Sequence, residues 1–343
     1  MEVHAQHRNL VGRPSQAMSN SGKPGAAGDV ATCTAILQDL ERDLDPADPT
    51  ARSGVRVLGY GEVSAALVLE ALPGLVCKRM AGMRDIAATG RYERLVHEYL
   101  ELLGRCGLQV ANTRTITVHV TGRRPVVYLL QEHLGTSGLG NELLRNADDA
   151  TLLECVDSVL VALYDIWKAN RERSDGLELA VDAQLSNWHF ALTEAGAGTP
   201  TLFDVGTPYV RRGGTYLIDP EIFLAAVPPL IRAWYRRARA VDRYLDHYFD
   251  PRSAALDLLG NFYKEGRPDR VPAAIARVNA WLAAHADDFG SPAAIDSADV
   301  SRFYARDADQ LELFLKLRRV DRFVRTRILQ SRYDFVLPGA IRR

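Results

Sequence analysis

The sequence predicts an α+β protein of two lobes, a small antiparallel-sheet lobe followed by a large, mainly helical one. Three observations carry this. The 343 residues suffice for two ordinary cores, with 47% apolar and 25% charged residues, a globular mixture. Strand-like runs gather between about residues 55 and 132, with one amphipathic helix inserted among them. Beyond Asn141, apolar residues recur mostly at helical spacing.

The elements follow in order. Residues 1–30 are rich in Ser, Gly, Pro and Asn and lack the apolar run of a signal peptide, so they read as a flexible leader. A helix is expected around TAILQDLERDL. VRVLGYGEVSAALVLEALPGLVCKRM then reads as a meander of three strands, broken at Gly59, Gly61 and the Pro73-Gly74 turn. In RYERLVHEYLELLGRCG, residues Tyr92, Leu95, Val96, Tyr99, Leu102 and Leu103 recur every three or four positions, a helix stopped by glycine. TRTITVHV and PVVYLLQEH complete five strands. The expected division is an N-lobe over 31–135 and a helical C-lobe over 136–343. In the latter, TLLECVDSVLVALYDIWKANRE is one long helix, NWHFALTE and PTLFDVG are short strands, and four helical segments follow Asp219.

Composition also excludes. A net charge of -1 offers no general field for nucleic acid. Cys33, Cys77, Cys106 and Cys155 lie far apart without a CxxC pair, which suggests neither disulfides nor zinc and fits a reducing cytoplasm. No stretch approaches the roughly 20 apolar residues of a membrane span, and no obligatory protein partner is evident. Trp167, Trp188, Trp234 and Trp281 read as core or groove residues. FLKLRRVDRFVRTRILQSRY reads as a final helix packing its apolar stripe on the C-lobe while its arginines stay wet; docking on an anionic membrane or nucleic acid is the alternative.

Five motifs succeed one another. LGYGEVS sets Gly59, Tyr60 and Gly61 between two strands, with Ser64 following, and glycines let backbone N–H groups approach phosphate. VCK ends on Lys78, 17 residues past Gly61. LLQEHLG carries Glu132 and Leu134 at the end of the fifth strand. VDAQLSNWHF separates Asp182 from Asn187 by five positions, and TLFDVG supplies Asp204 and Gly206, 17 residues beyond Asn187. Each alone has an ordinary reading as a turn or a solvated face.

In this order, over about residues 55–206, the motifs resemble those of the protein-kinase-like superfamily, closest to its aminoglycoside phosphotransferase and choline kinase branch, and the chain is similar to bacterial families of unassigned function. The resemblance implies a bilobal kinase-like fold that binds ATP and Mg²⁺. It implies phosphate contacts from Gly59, Tyr60, Gly61, Ser64 and Lys78, with Glu98 (or, second, Glu93) pairing with Lys78. Glu132 and Leu134 would hold adenine through their backbone, Asp182 would be the catalytic base, and Asn187 and Asp204 would bind the metal. Only about 15 residues separate Asp204 from Asp219, too few for a protein-kinase activation segment, so a small hydroxylated acceptor is expected. Arg211 and Arg212 in YVRRGG suggest an anionic group on it. Ala180-Val181 precede Asp182 where the superfamily usually has a histidine, and Ser64 replaces a third glycine. A catalytically impaired, kinase-like binding or regulatory protein is therefore the alternative.

Overall fold

The computed structural model describes residues 28–193 and 196–338, and the expected leader up to residue 27 lies outside them. Helix α1 (Val30–Asp43) starts where the Asp29 carboxylate accepts the Thr32 N–H at 2.9 Å. Strands β1 (Val55–Tyr60), β2 (Ser64–Leu69) and β3 (Leu75–Met80) form the expected meander. Helix α2 (Ile86–Arg105) follows, capped by Asp85, whose carboxylate accepts from the Ala88 N–H at 2.7 Å. After β4 (Gln109–Val110), strands β5 (Thr113–Val118) and β6 (Val126–Glu132) complete an antiparallel sheet ordered β1-β2-β3-β6-β5. β4 lies outside that sheet.

Strand alternation decides what each face of the sheet carries. Leu75 and Cys77 join Cys33, Leu37 and Leu40 of α1 in a core on one side. Lys78 points the other way, toward the cleft. Arg79 returns to the α1 side, where its Nε donates to Glu41 at 2.6 Å; both side chains are almost wholly buried. The Tyr128 hydroxyl donates to the same carboxylate at 2.5 Å.

The rest is mainly helical: α3 (Gly140–Asn146), α4 (Asp149–Glu172), α5 (Glu221–Leu224), α6 (Pro229–Arg237), α7 (Ala240–Asp246), α8 (Pro251–Lys264), α9 (Val271–Ala284), α10 (Ala286–Phe289) and α11 (Ser297–Phe323). Short strands β7 (Leu177–Leu179), β8 (Trp188–Thr193), β9 (Gly196–Leu202), β10 (Val210–Arg212) and β11 (Thr215–Tyr216) lie between α4 and α5. The segment after Asp219, expected as one helix, is three. Pro228-Pro229 lacks two N–H donors and separates α5 from α6, and Arg239, left-handed at φ 48°, separates α6 from α7.

Two long-range ties have no counterpart in sequence periodicity. β4 pairs in parallel with Thr201 and Leu202 of β9, linking the end of α2 to the strand that leads into Asp204. The segment 331–338 returns from α11 to the sheet: Arg79 Nη1 donates to the Asp334 carbonyl at 2.7 Å, and Val336 enters the core under α1. Trp167 and Trp281 pack with Phe289 and Trp188 is buried, but Trp234 is exposed, because α6 is a short outer helix rather than part of a longer packed one. Among the described residues no helix is long and apolar enough to cross a membrane.

Candidate active site

Lys78 lies mid-strand, opposite Ala66 of β2 and Leu129 of β6, so its stem is fixed by paired backbone on both sides. Its Nζ reaches Asp204 Oδ1 at 2.5 Å. Enclosure by itself would raise the Asp204 pKa, but the Lys78 ammonium outweighs it and holds the carboxyl below its ordinary value. Gly206 explains how the two approach: a Cβ there would lie 3.0 Å from the Lys78 Cε and Nζ.

Asp204 continues from β9, which pairs with β8 at Leu202 opposite Trp188. The Asn187 carbonyl accepts the Phe203 N–H at 3.1 Å, so Asn187 and Asp204 leave adjacent strand ends together. The Gln131 amide, from β6, donates to the Phe203 carbonyl at 2.8 Å and joins the sheet to this turn.

Asp182 sits in a turn closed on itself, its Oδ1 accepting the Gln184 N–H at 3.0 Å. Two helices support this turn. The first is α2, whose Tyr99 hydroxyl donates to the Ala180 carbonyl at 2.7 Å; two turns earlier on the same face, the Tyr92 hydroxyl donates to the Gly206 carbonyl at 2.7 Å. One helix thus grips both motif loops. The second is α8, where Asp257, Asn261 and Lys264 share a face by their four- and three-residue spacing. Asp257 accepts the Gln184 side-chain amide at 2.9 Å, Asn261 Oδ1 accepts the Ser186 N–H at 3.0 Å, and Lys264 donates to the Gln184 side chain at 2.8 Å.

Sequence reading missed these residues because SAALDLLGNFYKEG reads as an amphipathic helix. The available signal was that Asp257 and Asn261 interrupt its apolar face. Burial, and next the neighbouring Asp257 charge, push Asp182 well above the usual carboxylate range. Burial, then Asp307, raise Asp257 to about 7.

The glycine loop is the β1–β2 turn, with the Gly61 N–H donating to the Ser64 carbonyl at 3.0 Å. Ser64 is buried, its hydroxyl tucked 2.5 Å from where a Gly61 Cβ would stand, and Tyr60 is exposed. Glu62, at the loop tip, accepts the Tyr244 hydroxyl of α7 at 3.0 Å across the cleft.

Other expected residues are placed differently. Glu98 is exposed on α2, with Arg173 as a neighbouring charge, and is not brought to Lys78: the inward face of that turn is taken by Tyr92, Leu95, Val96 and Tyr99. Glu93 is only half-buried on the same helix. Arg211 lies in the β7–β10 ladder, 2.6 Å from Glu178 and over the Phe249 ring at 4.2 Å, so its charge is already satisfied. It leaves only exposed Arg212 for the expected anionic contact. Glu132 and Leu134 lie where β6 leaves the sheet, and the Leu134 carbonyl accepts from His189. Among the described residues no three His, Cys, Asp or Glu side chains form a cation cage.

A family model matches residues 39–322, most of the chain. The chain belongs to a family of unknown function, DUF6206. Comparison with curated proteins found no match. Among solved structures, the chain is similar to the GDP complex of wild-type aminoglycoside 2'-phosphotransferase-IIIa, with 12% identity, a TM-score of 0.32, and coverage of 79% of this chain and 99% of that one. The architecture is α+β, with a five-stranded antiparallel sheet, one helix inserted after its third strand and a mainly helical C-terminal part.

Proposed function

We propose that the chain transfers the γ-phosphoryl group of ATP to a hydroxyl of a small molecule, with Mg²⁺ as the accompanying cation. One observation carries this reading: Lys78 and Asp204, 126 residues apart in sequence, meet at 2.5 Å beside the turns that bear Asp182 and Asn187. An ammonium for phosphate, an ionised carboxylate with an amide oxygen for a hard cation, and an enclosed carboxyl for a proton are the groups phosphoryl transfer uses.

In this reading the acceptor oxygen forms a bond to the γ-phosphorus as the bond to the bridging oxygen breaks. ADP leaves, and Asp182 takes the hydroxyl proton. Lys78 would balance phosphate charge, and Asp204 with Asn187 would supply oxygen ligands, a set suited to Mg²⁺, which keeps one or two protein carboxylates and takes its other ligands from phosphate and water. Bound Mg²⁺ would neutralise charge developing on the phosphate oxygens. The Gly59–Ser64 turn would cover the phosphates, and Glu132 and Leu134 would border the base. Most of the rate gain would come from positioning and charge neutralisation.

The test is Mg·ATP-dependent thermal shift and ATP turnover against a panel of small alcohols, compared with Asp204→Ala and Asp182→Asn. A wild type without nucleotide response would sink the proposal. A second reading, nucleotide binding without turnover, is favoured by the exposure of Glu98, which leaves Lys78 without its usual partner. It expects a thermal shift lost in Asp204→Ala but no turnover and no effect of Asp182→Asn.

A further inference from the structure

The outer face of α11 is independent of the cleft. Leu313, Lys316, Val320, Phe323 and Arg327 recur every three or four residues and all are exposed, Leu313 at 54%, Val320 at 57% and Phe323 at 60%. Past Phe323 the helix loosens into a π turn, Val324–Ile328, and Ile328 and Leu329 are each 64% exposed. The inner face holds Leu315, Arg318 and Asp321, all buried. The apolar stripe expected to pack therefore packs only in part. Scattered exposed apolar side chains are ordinary, but Val320, Phe323, Ile328 and Leu329 at one helix end form a patch that Leu313 extends along the helix.

Charge narrows what could cover it. From Glu312 to Arg332 there are seven lysines and arginines and two acids, Glu312 and Asp321, in a chain whose net charge is -1. Asp321 is buried and paired with Arg325 at 2.9 Å, Glu312 is exposed and paired with Lys316 at 2.6 Å, and Arg318 is buried, so the outward excess comes from the remaining arginines. A second copy of the same face would bring like charges together. Nucleic-acid phosphates would satisfy the arginines but leave Val320, Phe323, Ile328 and Leu329 in water. An anionic bilayer surface accepts both: apolar side chains enter the acyl boundary, while arginine and lysine stems lie along it and their heads meet lipid phosphates. We propose that the C-terminal end of α11 docks on an anionic phospholipid surface, peripherally and without crossing it.

The experiment is co-sedimentation of the full chain with phosphatidylcholine vesicles, with and without about 30% phosphatidylserine. The expected result is binding to the anionic vesicles, at least about tenfold weaker to the neutral ones, and weakened as salt rises from about 0.05 M to about 0.5 M. Val320→Asp/Phe323→Asp should reduce binding at least about tenfold. Its melting temperature should stay unchanged, since both side chains are exposed. A second variant, Lys316→Glu/Arg327→Glu, should remove the salt-sensitive part while leaving the apolar residues in place. Absence of binding to anionic vesicles at low salt would overturn the proposal, as would undiminished binding by the first variant. So would light scattering showing that the wild type self-associates without lipid through the same residues, or retention of polyuridylate in place of vesicles.

Discussion

Replacing Glu41 with leucine tests how the two chain ends are tied to the strand that carries Lys78. In the native protein Glu41 accepts from Arg79 at 2.6 Å and from Tyr128 at 2.5 Å, with Arg332 Nη2 3.9 Å away. Glu41→Leu leaves the Arg79 guanidinium buried with the Asp334 carbonyl as its remaining acceptor. Removing one partner of a buried pair costs about 3–5 kcal/mol, and the orphaned Tyr128 hydroxyl adds about 1 kcal/mol. With a urea dependence of about 3 kcal/mol/M, a loss of about 4 kcal/mol moves the midpoint down by about 1.3 M. Removing both charges, as Glu41→Leu/Arg79→Leu, should restore most of this, since an apolar pair of similar volume replaces an ion pair at little cost.

The pH dependence has a definite sign. Burial would raise the Glu41 pKa, but Arg79 and Tyr128 outweigh it and the folded value is lowered. Its stabilisation is therefore present above the unfolded value, about 4.3, and is lost as pH falls through the lower folded value. Urea titrations at neutral and acid pH measure all of this. A midpoint shift below about 0.3 M for Glu41→Leu, or a double variant that loses the sum of both single effects, would refute the argument. Because Lys78 is the next residue to Arg79, the single variant should also weaken the Mg·ATP thermal shift, and the double variant should recover it.

Two further predictions concern the supports of the site and a third the cysteines. Tyr99→Phe leaves the Ala180 carbonyl without its hydroxyl donor and should cost about 1–2 kcal/mol in denaturant melts, with a larger proportional loss of turnover than of nucleotide binding. Asp257 has its pKa raised by burial to about 7, so between about pH 4 and pH 7 the unfolded chain sheds a proton that the folded protein keeps, and stability falls as pH rises. Asp257→Asn should flatten the melting temperature across that range, and an unchanged slope would count against the buried acid. Cys33, Cys77 and Cys155 are buried, with burial raising Cys77 and Cys155 to about 12, so a thiol reagent should label native protein only at half-buried Cys106, and all four cysteines after unfolding.

Legibility varied with the kind of signal. The five sheet strands were readable as β-branched and apolar runs of six or seven residues bounded by turns, and α2 by its period of three to four residues. Two-residue strands such as β4 and β11 are too short to show any period. The break at Arg239 rests on a backbone angle no residue type dictates. Side-chain direction failed at Glu98. Spacing placed it on the correct helix, but which residues of that helix face the cleft depends on its rotation against the sheet, and Tyr92 and Tyr99 occupy that face.

The sequence by itself determined the order of the larger elements, the α+β class and the candidate motif residues, because local periodicity, turn chemistry and motif spacing are properties of short stretches of chain. The tertiary structure alone decided which side chains meet. Lys78 joins Asp204 across 126 residues, Asn261 of α8 supports Ser186 across 75, and Arg79 is held between Glu41 and Asp334 from opposite ends of the chain. The physical reason is that these contacts depend on helix rotation and on how the returning tail packs, and the hydrogen bonds that fix both are made only once the two lobes and the tail have come together.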